Sequence, residues 1–503
     1  MRPQPSTAQR STRRALLGGA GTTSQGVGAS PSAPTGPAGP PQSYGDYELF
    51  LAHHATQGFS LAELARLRAL GGEAWLDEQL RPELIDDSAC DARLAAVPSV
   101  GMTGGQLWQS YLGNPAGDNV VAGELRGALV IRAVHSKRQL FERLVEFLDD
   151  LLHVPQEEGA LNTLRTLYDR DLRTHALGRF EDLLLASGKG AAMLIYLNNI
   201  ENVVGAPNEN YSREAMELHT LGAGVVYTET DVREGARAFT GWSAAGPGPN
   251  LGTFQFRAVR HDNGAKTLPG LGLVIPAGGG VTDGEVVLRT LAQRPETIAR
   301  LARRLLSWFV TYSPPQAAVD RVIAAWNTSG GELREVVREA LSRTTVSLCA
   351  PWRLPKLKRP FHLAMGLLRQ LQPTDLTNAY RGVVQAMNGL GQPLFGWLPP
   401  NGYPDAEGAW GTSVLPRWQF ADLVVQNGIQ ALVLSNQQLA ALYNGVGPAN
   451  VGARLNEVLA GGALDPADVA DVQAYVAAAP AFNLQVFRDA LALAASSPSY
   501  QRY

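Results

Sequence analysis

Cysteine is almost missing from this chain: Cys90 and Cys349 are the only two among 503 residues. Two thiols cannot build a four-cysteine zinc site or a disulfide framework. At most one bridge is available, and neither thiol has a catalytic signature beside it, so core thiols are the expectation. Long apolar runs are missing as well. No stretch reaches the roughly 18 residues that a membrane-spanning helix needs. Neither charge sign dominates: 43 Lys and Arg face 46 Asp and Glu, for a formal net charge of −3. With no basic block, no zinc-finger spacing and no RNA-binding signature, nucleic acid is not an expected partner. A Gly-x-Ser-x-Gly elbow is absent, which argues against that class of serine hydrolase. The glycine-rich residues 269–280 lack the Gly-Lys-Ser/Thr ending of a phosphate loop. No repeat of fixed period is visible.

What is present reads as helix after helix. Hydrophobic residues make up 45% of the chain, enough for one large core or two subdomains. Ser60-Leu61-Ala62-Glu63 and Thr228-Glu229-Thr230-Asp231 are capping boxes. Leu140, Leu144, Phe147, Leu148 and Leu151 recur at helical spacing within 137–153. Residues 176–198 read as one or two helices interrupted near Gly188-Lys189-Gly190. Pro295 opens a helix whose inner face carries Ile298, Leu301, Leu305 and Phe309. Only Phe254 to Val259 alternates like a strand, with a turn signal at Asp262-Asn263-Gly264. The expected fold is mainly α: a single large multi-helical domain over 45–503, with a small β-hairpin or loop insertion around 251–282.

At the N-terminus, Thr12-Arg13-Arg14-Ala15-Leu16-Leu17 matches the twin-arginine export pattern. Small residues at Val27-Gly28-Ala29 offer a cleavage site, which sets an export signal at 1–29. The Pro- and Gly-rich stretch that follows makes 30–44 a flexible linker. An exported, periplasmic or extracellular protein is the favoured reading. The alternative is a cytoplasmic protein with a disordered basic tail.

Chemistry concentrates in Pro207 to Gly222, which holds three glutamates, an arginine, two asparagines and a histidine. On a regular helix at about 100° per residue, Asn210, Arg213, Glu214, Glu217 and Leu221 share one face. Asn208 or Asn210 can cap its start, and Gly222 can end it with a left-handed residue. Glu209, Arg213 and Glu217 stand four apart. The plain reading is an exposed ion-pair ladder; the sharper one is a cleft in which Arg213 orients the carboxylates. The second candidate is the turn carrying His261, Asp262 and Lys266, a set able to move protons, ligate a metal or bind an anion. Glu214, Glu217, His261 and Asp262 together would suit a divalent transition metal such as iron, manganese or zinc. Against this, the Glu-x-x-His pairs of di-iron bundles are missing. His53 and His54 sit on an apolar helix and read as packed. Trp242, Trp397 and Trp410 sit near Gly and Pro, where core plugging competes with sugar stacking. Lys356 and Lys358 before Pro360 read by default as a solvated helix start, with anion binding as the alternative.

In these segments the chain resembles the domain-of-unknown-function-1800 family of bacterial proteins. The resemblance rests on Asn208 to Gly222, Tyr227-Thr228-Glu229, Ala236 to Trp242, His261-Asp262 and Lys266. It continues with Lys356-x-Lys358-x-Pro360, Gly391-Gln392-Pro393, Pro400-x-Gly402-Tyr403 and Trp410. It implies an exported, largely helical protein, often encoded beside a sulfatase- or alkaline-phosphatase-like partner, and it carries no catalytic residues across. A histidine common in relatives is replaced here by Leu151, and the opening motif reads His54-Ala55-Thr56-Gln57-Gly58.

The functional expectation is a polar ligand-binding or catalytic cleft, where the faces of 208–221 and 229–241 meet the loop 261–266. Hydrolysis is the expected chemistry if it is an enzyme. Glu214 or Glu217 would then be base or metal ligand, Arg213 the orienting group, and His261 with Asp262 the proton-transfer pair, beside Lys266. The rival is a non-catalytic scaffold or chaperone for the co-encoded partner, with the polar segment a structural network.

Overall fold

Helices dominate because the apolar periodicity is helical almost throughout, and the few strands sit where it lapses. A computed structural model describes residues 46–503 apart from 113–116, 157–159, 350–355, 374–375 and 413. The twin-arginine segment, the 1–29 and 30–44 assignments and residue 45 therefore lie outside the described residues. Among the described residues, no helix is long and apolar enough to cross a membrane.

The expected helix signals act as read, with refinements. Thr228 and Asp231 form a reciprocal capping box before helix Glu229–Phe239. Ser60 caps helix Leu61–Leu70 through the Glu63 amide, but the Glu63 carboxylate turns away to Trp75 Nε1 and Arg66. The stretch around Gly190 is two helices, Phe180–Lys189 and Ala191–Tyr196. Pro295 stands at the start of helix Pro295–Phe309, and Ile298, Leu301, Leu305 and Phe309 are buried.

The β insertion is two separate hairpins. Strand β1 (Trp242–Ala244) pairs antiparallel with β2 (Phe254–Phe256), Trp242 opposite Phe256. Strand β3 (Lys266–Leu268) pairs with β4 (Leu273–Ile275). The partner of 254–256 thus lies ahead of the expected 251–282 window. The alternation also stops at Phe256, where a 3-10 turn at Ala258–Arg260 intervenes.

Two large apolar cores form. The first draws on helices such as Gln139–Leu151 and Pro295–Phe309; the second on Gly117–His135, Pro360–Leu371 and the C-terminal helices. Cys349 belongs to the first and Cys90 to the second, and both are free thiols. A small third cluster of Leu357, Tyr403 and Trp410 carries Trp397 at its margin. His53 and His54 are buried as expected; His54 Nδ1 lies 2.8 Å from the Phe309 carbonyl and its ring stacks on Phe50.

Candidate functional site

The 207–222 segment starts as expected and then departs from a regular helix. The Asn208 side chain accepts from the Asn210 amide at 3.0 Å, and an α-turn runs Asn210–Glu214. From Ala215 to His219 the chain is a π-helix. Thr220 Oγ1 donates to the Ala215 carbonyl, and Gly222, at φ +99°, closes the segment onto the Met216 carbonyl. A π-turn accommodates one extra residue and rotates everything after it. The 100° count therefore holds only to Glu214. Such turns recur at functional sites, which makes the neighbours informative.

Arg213 reaches Glu209 at 3.4 Å and Glu217 at 3.7 Å, the expected ladder, but its main partner is Glu229 at 2.6 and 2.8 Å. Glu217 also accepts from the Tyr227 hydroxyl. Glu214 is half-buried and makes no hydrogen bond or ion pair with a described residue. Burial, then the charge of Glu217, push its carboxyl up to about 7 against the pull of Arg213. On the inner side His219 is 1% exposed, and burial followed by Arg300 and Arg304 pushes it down to about 3.

The turn at 261–266 is a closed network. His261 Nε2 lies 3.2 Å from Asp283 Oδ2, and its Nδ1 lies 2.8 Å from the Thr240 carbonyl. Lys266, fully buried, donates to Asp283 at 2.6 Å and to the Asp262 and Gly264 carbonyls. Asp262 is held by Arg237 at 2.7 Å. Arg237 and Asp283 were not singled out from the sequence. Arg237 lies inside the Ala236–Trp242 segment that carried the resemblance, whereas Asp283 follows the glycine-rich stretch and gave no signal.

These two candidate sets do not meet. Arg213 binds Glu229 at the first turn of helix Glu229–Phe239; Asp262 binds Arg237 in its last turn. Two helical turns separate the contacts, about 12 Å at ~1.5 Å per residue. No hydrogen bond or ion pair joins Glu214 or Glu217 to His261 or Asp262. Among the described residues, no group of three or more His, Cys, Asp or Glu side chains is placed to hold a metal ion.

The lysines before Pro360 overturn the solvated reading. Lys356 and Lys358 are 1% and 4% exposed. Residues preceding a proline favour extended backbone, and this stretch pairs with the C-terminus: Leu357 bridges Arg502, and Tyr503 donates to the Lys356 carbonyl. Lys356 Nζ is held by Asp405 at 2.8 Å and by the Ser307 and Trp308 carbonyls. Burial pushes Lys356 down to about 8 despite Asp405. Lys358 donates to the Tyr500 carbonyl and falls to about 7, again through burial. Next to them, Arg359 is buried, donating to Asp150 at 2.5 Å and to the Tyr403 carbonyl at 2.8 Å over the Trp308 ring. Burial opposes its charge, but Asp150, Asp405 and Glu146 outweigh it and hold Arg359 above its ordinary value.

These groups surround a cavity of about 290 Å3 lined by Asp150, Arg304, Trp308, Arg359, Tyr403 and Asp405. Its apolar lining comes from the first core, through Phe147 and Trp308, and from the small third cluster, through Tyr403. Helices Gln139–Leu151 and Pro295–Phe309 bring Asp150 and Arg304; the extended segment before Pro360–Leu371 brings Arg359. Gly402, at φ +68°, packs its Cα against the Asp150 backbone, where a Cβ would overlap, and so places Tyr403, whose amide donates to Asp150 at 3.0 Å. Asp150 is thus taken by Arg359 and Tyr403, and Asp405 by Lys356. Arg304 alone among the charged groups there has no hydrogen bond or ion pair with a described residue. Burial lowers its pKa while Asp150 and Asp405 oppose the shift. Its charge, after that of Arg300, also acts on the buried His219 of the π-segment.

The pattern of the family described as a protein of unknown function, DUF1800, matches residues 50–502. The chain belongs to the DUF1800 family. No curated protein and no solved structure matches it. Within this DUF1800 chain, Lys356, Lys358, Gly402, Tyr403 and Trp410 of the matching segments assemble around or beside the cavity, whereas 261–266 builds the closed network. Trp242 and Trp410 are buried plugs, Trp242 wedged among Phe239, Phe254 and Gly284. Asp150, Arg304, Arg359 and Asp405 were missed. The one available signal was a carboxylate, Asp150, flanking the apolar stripe of 137–153.

Proposed function

We propose that this DUF1800 protein is an exported protein that binds a small oxyanion-bearing ligand in the cavity around Arg304. One observation carries the reading: Arg304 is a half-buried guanidinium with no hydrogen bond or ion pair among the described residues, in a cavity whose other charged groups are each paired. Desolvating a cation without a counter-charge is costly, and a planar guanidinium suits carboxylate, sulfate or phosphate oxygens. Asp150 and Asp405 are each engaged by a cation or an amide, which favours binding over proton transfer at this point. Export rests on Thr12 to Leu17.

The test is a thermal melt and calorimetric titration with sulfate, phosphate and acetate at constant ionic strength, against chloride. Wild type should gain saturable stability, and Arg304→Gln should lose that gain while keeping its melting temperature without ligand. Equal shifts in chloride, or retained shifts in the variant, would refute the reading.

The scaffold reading has one observation in its favour. Leu415, Trp418 and Leu493 are 60%, 47% and 40% exposed. Trp418 and Leu493 line a groove of about 570 Å3 with Asp422, Asp468 and Asp471. An exposed apolar patch rimmed by charge is what a protein partner would cover. Co-purification with the co-encoded sulfatase- or phosphatase-like protein, lost on Trp418→Ser, would support it.

A further inference from the structure

We propose a second ligand site, for an amphipathic carboxylate, in the pocket between β1–β2 and helices Gly104–Ser110 and Ala160–His175. The pocket holds about 460 Å3, within the ~300–1,000 Å3 range of small-molecule sites. Its walls are apolar and aromatic: Trp108, Leu112, Leu164, Ile195 and Ile200. Its lining also includes two cations, the exposed Arg257 and the half-buried Arg260. Neither guanidinium makes a hydrogen bond or ion pair with a described residue. The single acid in the lining, Asp118, already accepts from Thr163 Oγ1 at 2.6 Å.

The arrangement follows from the local backbone. Arg257 precedes and Arg260 ends the 3-10 turn Ala258–Arg260. At three residues per turn, positions i and i+3 eclipse, so the two arginines lie on one side. The turn is pinned at both ends. The Arg257 amide donates to the Gly241 carbonyl at 2.8 Å, and the Arg260 carbonyl accepts from the Val204 amide at 2.8 Å. Gly241, at φ +77°, lets this approach happen; a Cβ there would stand 2.7 Å from the Arg257 carbonyl oxygen. Immediately afterwards His261 locks onto Asp283, and Asp262 onto Arg237. The closed network thereby fixes the arginine pair beside the apolar wall. Two guanidiniums lining one pocket favour an anion there, and their planar donors match a carboxylate head. The wall behind them takes an aliphatic or aromatic tail.

Calorimetry with octanoate, octan-1-ol and acetate tests this on the full chain. Octanoate should bind one-to-one, and at least about tenfold more tightly than octan-1-ol or acetate. The double variant Arg257→Gln/Arg260→Gln should bind octanoate only as weakly as octan-1-ol, with an unchanged melting temperature. Ala245→Trp, which fills the pocket and spares the arginines, should exclude octanoate. Arg304→Gln should leave octanoate binding intact, which separates this site from the other cavity. The proposal fails if octan-1-ol matches octanoate, if the double variant keeps wild-type affinity for octanoate, if Ala245→Trp still binds it, or if Arg304→Gln abolishes it.

Discussion

The turn at 261–266 and the cavity around Arg304 are both polar clusters set among apolar helices, yet one is closed and the other open. In the turn, Lys266 and His261 converge on Asp283, and Arg237 takes Asp262. In the cavity, Arg359 answers Asp150 and Lys356 answers Asp405, while Arg304 makes no hydrogen bond or ion pair with a described residue. Polar density in a sequence therefore does not mark a binding site. The mark is a charge that the fold leaves unmatched. The segment 208–222 stands between the extremes: its outer face is an ion-pair ladder, and its inner His219 is acted on by the charges of Arg300 and Arg304.

The comparison breaks most forcefully at Asp283. Asp283→Ala strands the buried Lys266 ammonium, and removing one partner of a buried pair costs about 3–5 kcal/mol. Urea denaturation should show that loss, and Asp283→Leu/Lys266→Met should recover most of it. Arg359→Met should cost a similar amount, about 3 kcal/mol, because Asp150 loses its counter-charge. Arg304→Met should behave oppositely, changing stability by less than about 1 kcal/mol while weakening oxyanion binding at least about tenfold. Equal destabilisation by all three would erase the distinction between closed and open.

A smaller effect is expected at Glu214. Folded Glu214 keeps its proton up to about pH 7, whereas an unfolded glutamate releases it near ~4.3. Between those values the native state binds more protons, so this group's contribution to stability falls as pH rises. Glu214→Gln removes that slope and should gain on wild type between about pH 5 and about pH 8, by roughly 1 kcal/mol after solvent screening. Denaturation curves at the two pH values measure it. The smallest change is expected for Arg213→Ala, less than about 1 kcal/mol, because its main partner, Glu229, is solvent-exposed.

Most helices were legible because caps and apolar spacing act within one or two turns. Thr228-x-x-Asp231 and Pro295 behaved as local signals should. The π-turn was not legible: a single extra residue is stabilised by what surrounds it, here Thr220 and the packing of Tyr211 against Phe239. The β1–β2 pairing was missed in part because Trp242 to Ala244 is a short strand defined by its partner. The lysines at 356 and 358 were misjudged because charge beside a proline resembles a helix start. Residues far along the chain bury that segment: the C-terminal 500–503, together with Asp405 and the Ser307 and Trp308 carbonyls.

By itself the sequence determined a helical body, its main boundaries, its family and which segments carry polar chemistry, since these follow from periodicity, capping and residue order. The tertiary structure alone decided which polar segment is sealed and which faces a cavity. Asp150, Arg304, Arg359 and Asp405 lie far apart along the chain, and only the packing of their separate segments brings them together and leaves Arg304 without a hydrogen bond or ion pair among the described residues.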